Sequence, residues 1–419
     1  MVWYRELVES LPNVVRQLLE KIWDEGFYTT LVGGCVRDFY VDHQLVHDLD
    51  FEIRKDENFT ESEWNAEVNR LRCELQKAGF NADELMFNIL RVSLPSWDIE
   101  LASPREEIFD EANHSHKNFK AQYKSNMDYT TAFARRDFTI NAIGIEIRNW
   151  DKIRLVDPFA GICDIKRGVL RACGLNFVKD PVRLLRAVRF QILTGYQFDR
   201  TLTYQWSSFF LNDLSDYYIV QEAKKSGDIY AYFNNLFAVI DSHHVPGNAS
   251  LTQLHFFADI EKDDNIDFSM VEEVAFYLIT QLNKVSEINL NNFSRIFGLK
   301  KMKIVLLRRY LKNLVLFNDD DLQTAKNEKW DENNIHHPLI EKCERLVNYR
   351  RKASWNQTFE KFMDIFFKNH IQVIHGLELD QGLQGEDDFL ESLNNIEIPD
   401  AHKGRLRLVC HFKSLFSNG

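Results

Sequence analysis

The sequence predicts an α+β protein: an N-terminal head with a small mixed β-sheet flanked by helices, followed by an all-α neck, body and tail. Three observations carry this. Short β-branched and apolar runs alternate with helical periodicity as far as about residue 165, beyond which the strand signal fades. At 419 residues the chain is too long for one ordinary domain. Its 45% hydrophobic and 27% charged content, with Gly 17 and Pro 8 both low, fits a globular chain able to bury sizeable cores. The expected divisions are a head over 1–165, a neck over 166–245, and a body and tail over 246–419.

Val15, Leu18, Leu19, Ile22 and Trp23 recur at three- and four-residue spacing, which predicts a helix over Pro12–Asp24. Gly26 ends it, and the β-branched run Phe27–Val32 reads as a buried strand. Gly33-Gly34 turns the chain, Cys35–Val41 opens a second helix, and Asp48–Ile53 reads as a second strand. A charged helix over Glu61–Ala78 and strands over Asn88–Leu94 and Trp97–Leu101 follow. The polar stretch Ser103–Lys124 lacks an apolar period and is expected to be a long mobile loop. A short strand within Leu170–Phe177 precedes a helix over Pro181–Thr194. Further helices are expected at Leu202–Phe210, Gln221–Ile240, Val271–Leu282, Met302–Leu314, Pro338–Arg350 and Gln357–Phe367.

Six scattered cysteines, with no CxxC and no Cys/His cluster, exclude a disulfide scaffold or a zinc ribbon and fit a reducing cytosol. No apolar run approaches the roughly 18 residues of a membrane span, and the N-terminus is no signal peptide. A soluble, cytoplasmic protein with no membrane association is expected, and nothing calls for an obligate protein partner. A net charge of −12 weighs against a nucleic-acid partner until the charge is read locally.

Chemistry concentrates first in Leu31-Val-Gly-Gly-Cys-Val-Arg-Asp38 and Asp48-Leu-Asp-Phe-Glu52. Gly33 and Gly34 let backbone amides approach an anion, the next helix adds its N-terminal dipole, and Arg37 can pair with a phosphate. Asp48 and Asp50 lie two apart on a strand, so both side chains leave one face. Such carboxylates repel unless a cation sits between them, and Mg²⁺, a hard ion wanting oxygen ligands, is the natural one. A Gly-Gly turn or a DxD alone is more often structural, but a phosphate cradle beside a metal pair is the equipment of nucleotidyl transfer. The pattern is neither a dinucleotide GxGxxG nor a P-loop.

With three further blocks in order, Leu31–Glu52 resembles the signature of the class II nucleotidyltransferases, the family of bacterial-type CCA-adding enzymes and bacterial poly(A) polymerases. The blocks are Arg135-Arg-Asp-Phe-Thr-Ile-Asn-Ala142, Asp157-Pro-Phe-Ala-Gly161 running on to Leu170, and Asp180-Pro-Val-Arg-Leu-Leu-Arg-Ala-Val-Arg-Phe190. They span about residues 27–195, just under half of the chain. The resemblance implies that Arg136, Asp137 and Asn141 read the ribose, although an Arg-Arg-Asp run by itself is more often a helix cap or a salt-bridged element. It implies that Asp180 and Arg183, three apart on one helical face, select CTP and ATP as a protein template. Arg186 and Arg189 continue that face and would meet the triphosphate. Glu100, with Asp98 on the same face, is in register with the family's third catalytic carboxylate beside Asp48 and Asp50. Two departures stand out: Lys179 replaces the usual Glu before Asp180, and Asp42 replaces a Gly in a stretch one residue longer than usual.

The negative balance is uneven. Lys300, Lys301, Lys303, Arg308, Arg309 and Lys312 fall in a stretch without a single acid, which predicts a phosphate-tracking stripe for tRNA or, equally, a solvated face paired with Asp319–Asp321. Residues 350–410 are expected to complete an RNA-binding tail. His114 and His116 are read as loop polar residues, and no metal-dependent phosphohydrolase signature is present. The expected activity is addition of C, C and A to the 3′ end of tRNA from CTP and ATP with Mg²⁺. The alternatives are a CC-adding or A-adding enzyme, a poly(A) polymerase, which would more often be strongly basic, and a non-catalytic RNA-binding relative.

Overall fold

The computed structural model describes residues 2–46, 48–109, 119–281, 283–300, 304–305, 307–309, 319–353, 405–406, 408–409 and 413. These form two compact units, one of residues 1–222 with 235–248, the other of 223–234 with the described residues from 249 onward. Head and most of the expected neck fall together in the first.

That unit begins with helices α1 (Trp3–Glu9) and α2 (Asn13–Asp24), then β1 (Tyr28–Val32), α3 (Gly34–Asp42), β2 (Asp48–Arg54) and α4 (Glu61–Lys77). Strands β3 (Asn81–Leu85), β4 (Ile89–Leu94), β5 (Trp97–Ala102), β6 (Arg105–Phe109) and β7 (Phe119–Tyr123) follow. After α5 (Tyr129–Ala134) and a 3-10 turn at Thr139–Asn141 come β8 (Gly144–Ile147), β9 (Ile153–Val156), α6 (Gly161–Arg167), β10 (Val169–Leu170), α7 (Val182–Thr194) and β11 (Gln197–Phe198). Helices α8 (Arg200–Thr203), α9 (Asp216–Lys225) and α10 (Ile229–His243) come next.

Seven strands make one mixed sheet in the order β3-β4-β5-β2-β1-β8-β9. Only β2 and β5 run parallel; the other neighbours are antiparallel. Near the middle, β1 is buried along its whole length, as its apolar and threonine side chains require. The start of β2 alternates, with Leu49 and Phe51 buried and Asp48 and Asp50 exposed, so the two carboxylates share a face as the two-residue period demands.

The structure departs from the sequence reading in four places. Three sheet strands, β3, β8 and β9, carry too few β-branched residues or too little length to announce themselves. Ser103–Lys124 is not simply a loop: β6 and β7 pair as an antiparallel ribbon with Glu107 opposite Ala121. The helix expected over Gln221–Ile240 is broken at Ser226–Asp228. Gly227 takes φ +74°, and the Ser226 hydroxyl donates to the Ala223 carbonyl at 2.6 Å. Leu202–Phe210 is the short α8 followed by a 3-10 turn at Trp206–Ser208. The helix expected over Met302–Leu314 is described only in part, and the one over Gln357–Phe367 lies outside the described residues, as do His114 and His116.

The second unit contains α11 (Ala249–Leu254), α12 (Val271–Thr280), α13 (Glu287–Ile296), α14 (Asp319–Asn327) and α15 (Pro338–Ala353). Large rings build its core: Phe233 meets Phe257 at 4.9 Å between centroids, and Phe293 meets Phe297 at 4.4 Å. Trp330, Ile340, Cys343 and Val409 belong to a separate buried cluster.

One glycine in the first unit admits no side chain. The Asp157 carboxylate accepts from the Gly161 and Ile162 amides at 2.6 and 3.1 Å and caps α6. This seats Gly161 against the 3-10 turn, where a Cβ would lie 2.1 Å from the Thr139 carbonyl oxygen. Asp164, on α6, accepts from the Thr139 hydroxyl at 2.6 Å. The helix is thereby a prop for the turn that ends in Asn141. Gly161→Ala should therefore lower stability by about 1–3 kcal/mol through overpacking against the backbone. A urea titration reads this as a lower midpoint at unchanged slope, and an unaltered midpoint would contradict the close approach.

Candidate active site

The register of the sheet collects the acidic side chains. Asp50 pairs with Glu100 and Asp48 with Asp98 across the parallel β2–β5 ladder, so Glu100 stands beside Asp50 as its sequence position suggests. Although its side chain is reached by solvent, the protein around Asp50 partly desolvates its carboxyl and pushes it above its ordinary range; the Arg136 guanidinium opposes this, and the neighbouring Glu100 and Asp48 charges add to it. Glu100 is also 3.1 Å from Arg91 on β4. Among the described residues no three His, Cys, Asp or Glu side chains form a self-sufficient metal cage. The donor set does fit a hard divalent ion held by one or two carboxylates and completed by substrate phosphates.

Beside these carboxylates the chain leaves β1 through Gly33, whose φ of +85° favours glycine. A Cβ there would sit 3.2 Å from Arg136 Nη1 and 3.6 Å from Asp50 Oδ2. The turn thus gives the first amides of α3 a close approach to anything bound over Asp50. Arg37, on α3, pairs with Asp38 at 2.7 Å and donates to the Asn141 side-chain oxygen.

Asn141 in turn donates to Asp137 at 2.9 Å, and Asp137 is 2.6 Å from Arg186 on α7. Arg37, Asn141, Asp137 and Arg186 form one chain of polar contacts joining α3, the 3-10 turn and α7. Burial alone would raise the Asp137 carboxyl, but Arg186, Asn141 and the Phe138 amide outweigh it and hold the group at about 2. The Arg-Arg-Asp run is thus salt-bridged to other elements, Asp137 to Arg186 and Arg135 to Glu52, while all three of its side chains line the cavity. Arg136 lines the same space, and its buried Nε makes no hydrogen bond among the described residues, leaving an unused donor.

Asp180 and Arg183 line the same cavity, both buried, with Arg183 Nε 3.7 Å from the Asp180 carboxylate. Two backbone carbonyls orient the guanidinium: Arg135 accepts at 2.6 Å and Asn176 at 3.2 Å. Arg189 does not join them. It is buried 2.8 Å from Glu222 and does not line the cavity, because two three-residue steps along α7 carry it about 9 Å beyond Arg183 and around the helix. The expectation that it meets a triphosphate is corrected accordingly.

The cavity enclosed by these groups measures about 480 Å³, within the range of small-molecule sites. Six arginines and four carboxylates line it, so it favours an anion. The ribbon contributes Arg105, Glu107, Phe109 and Phe119, none of which sequence reasoning singled out. The alternation of Arg105, Glu107 and Phe109 is the signal that would have found them. Phe87 stacks on Phe119 at 5.3 Å, and Glu107 approaches Arg183 to 3.8 Å.

The basic stripe is less coherent than its sequence. Lys300 and Arg309 are exposed, but Arg308 is only 2% exposed and cannot be a surface phosphate contact; Lys301, Lys303 and Lys312 lie outside the described residues.

Asp137 yields a pH prediction. Its folded value of about 2 is below the ordinary 3.8, so its contribution is complete above pH 4 and lost as the pH falls toward 2. Between those limits the wild type should lose about 2 kcal/mol more stability than Asp137→Asn, read from urea midpoints at each pH. Parallel losses in both proteins would refute the pairing.

Residues 29–171 match the Poly A polymerase head domain. The chain is 30% identical over 173 residues to the A-adding tRNA nucleotidyltransferase of Aquifex aeolicus, covering 41% of this chain and 19% of that protein. It is 29% identical over 189 residues to the CCA-adding enzyme of Lactobacillus helveticus, covering 44% and 42%. The matches thus span less than half of either relative's length. A solved structure of a CCA-adding enzyme with CTP superposes over 99% of this chain and 94% of that one, with a TM-score of 0.56 at 17% identity, a likeness of fold. With Asp48, Asp50 and Glu100 in register inside the matched residues, the head of this chain is similar to the heads of CCA-adding enzymes and bacterial poly(A) polymerases.

Proposed function

We propose that the protein adds C, C and A to the 3′ end of tRNA, using CTP and ATP without a nucleic-acid template and releasing pyrophosphate. The observation that carries this is the register of Asp48, Asp50 and Glu100 beside an arginine-lined cavity that the Asp180–Arg183 pair also lines. Asp48 and Asp50 would hold Mg²⁺, which when bound supplies charge neutralisation at the α-phosphate and lowers the pKa of the attacking hydroxyl.

The chain's own groups do the rest. The first-turn amides of α3, with Arg37, Arg136 and Arg186, hold the triphosphate in line, and Asp137 and Asn141 meet the ribose at their cavity edge. Glu100, beside Asp50, orients the tRNA 3′-hydroxyl and takes up its proton. Asp180 accepts from an exocyclic amine while Arg183 donates to ring nitrogen or carbonyl oxygen. Cytosine and adenine offer an amine beside a ring acceptor; guanine and uracil present the reverse order and leave a buried charge unpaired.

A restricted enzyme, adding only C or only A, is the second reading, favoured by Lys179 in place of the family's Glu beside Asp180. Incorporation of labelled CTP and ATP with Mg²⁺ into tRNA lacking CCA, tRNA ending in CC, and oligo(A) separates the possibilities. Two C and one A on the first tRNA, with the oligomer ignored, is the expected result. One nucleotide alone would mean a restricted enzyme, long tails on oligo(A) a poly(A) polymerase, and no incorporation a binding module.

Two substitutions sharpen the assignment. Asp48→Ala with Asp50→Ala should abolish incorporation while tRNA affinity stays within about twofold, since exposed carboxylates contribute nothing to phosphate binding. Wild-type extension by the double variant would remove the metal assignment. Arg183→Ala should raise incorporation of GTP and UTP relative to CTP and ATP by roughly 10- to 100-fold, the loss of one charged hydrogen-bonding partner. Unchanged preference among the four nucleotides would end the protein-template reading.

A further inference from the structure

Glu52 has no part in the chemistry described so far, yet it lies on β2 with Asp48 and Asp50 and is wholly withdrawn from water. A buried carboxylate is tolerated only with partners. One oxygen accepts from Arg54 Nη2 at 2.7 Å, and the other accepts from Arg135 Nη2 at 3.4 Å. Arg54 is anchored independently, donating to the Met127 carbonyl at 2.5 Å and lying 3.9 Å from the centre of the Tyr129 ring. Arg135 is not: its Nε makes no hydrogen bond, and no other side chain among the described residues hydrogen-bonds its guanidinium.

Arg135 is also the C-terminal cap of α5. Its carbonyl is one of those a helix end leaves without an intrahelical donor, and that carbonyl accepts from Arg183 Nη2 at 2.6 Å. A continuous path therefore runs from the strand of the proposed catalytic carboxylates to the cavity-lining guanidinium of Arg183: Glu52 carboxylate, Arg135 side chain, Arg135 carbonyl, Arg183. We infer that Glu52 is a positioning residue for base choice, fixing through Arg135 the carbonyl against which Arg183 is registered. The inference rests on the reading of Arg183 as the base selector. Because Asn176 and Glu107 also restrain Arg183, loss of the Glu52 charge loosens selection without erasing it.

The test is Glu52→Gln, which keeps size and removes charge. Relative kcat/KM for CTP, ATP, GTP and UTP is measured on tRNA lacking CCA, alongside tRNA affinity. Use of the wrong bases relative to the right ones should rise roughly 2- to 30-fold, the scale of residues that act at one remove from a ligand, with tRNA affinity unchanged. Arg135→Gln should raise it similarly, and the double variant should go no further than the larger single effect. A uniform fall for all four nucleotides at constant preference would reduce Glu52 to a structural role and overturn the inference; additive effects in the double variant would overturn the route through Arg135. Should Glu52→Gln fail to fold, unchanged preference in Arg135→Gln overturns the inference equally. Arg183→Ala serves as the reference: if it alone changes base preference, only the inference falls, and if it changes nothing, the reading beneath it falls too.

Discussion

A charge withdrawn from water must be met by an opposite one, and the first unit meets this requirement within elements, as Glu52 with Arg54 on β2, and also across them. Asp137 from the 3-10 region is held by Arg186 of α7, Glu52 of β2 by Arg135 at the end of α5, and Arg189 of α7 by Glu222 of α9. Each pair costs desolvation on both sides and returns it only when the geometry is correct. The pairs therefore fix how α5, α7, α9 and the sheet approach one another, more tightly than apolar contact would. They also explain how six arginines can converge on one space without mutual repulsion emptying it.

The mixed topology of the sheet adds the second constraint. Because β2 and β5 run parallel while their outer neighbours are antiparallel, acidic residues at the same relative position of both strands emerge side by side at one end. The acidic group thus rests on central strands, whereas Arg183 and Arg186 come to the cavity from a helix and Arg105 and Glu107 from a two-stranded ribbon. Rigid support is concentrated where the proposed metal and reacting phosphate would need sub-ångström placement.

Those parts of the fold with strong local signals were legible in the sequence. β1, β2, β4, β5, α2, α4 and α7 appear within one or two residues of their expected bounds, since each has a strong local pattern and most have a glycine, proline or capping residue at an end. Glu100 was legible for a different reason: strand register carried it to Asp50. What escaped was decided by tertiary context. β6 and β7 carry charged and aromatic side chains whose alternation is meaningful only against the cavity they line, and β8 and β9 are four residues each. Three-residue spacing grouped Arg189 with Arg183 and Arg186, but a helix drifts about 60° in each such step, and a buried glutamate claimed the outlier. Arg308 was misread because a run of cations says nothing about which of them faces inward.

The chain passes between its two compact units three times, after residues 222, 234 and 248, with α10 itself beginning in one and ending in the other. No single scission can therefore release either unit whole: a fragment ending at residue 222 lacks fourteen residues of its own unit, and one beginning at 249 lacks twelve of the other. Interleaving of this kind makes the two parts poor candidates for independent exchange by recombination. It also ties their unfolding together, since melting α10 strips a helical segment from both at once.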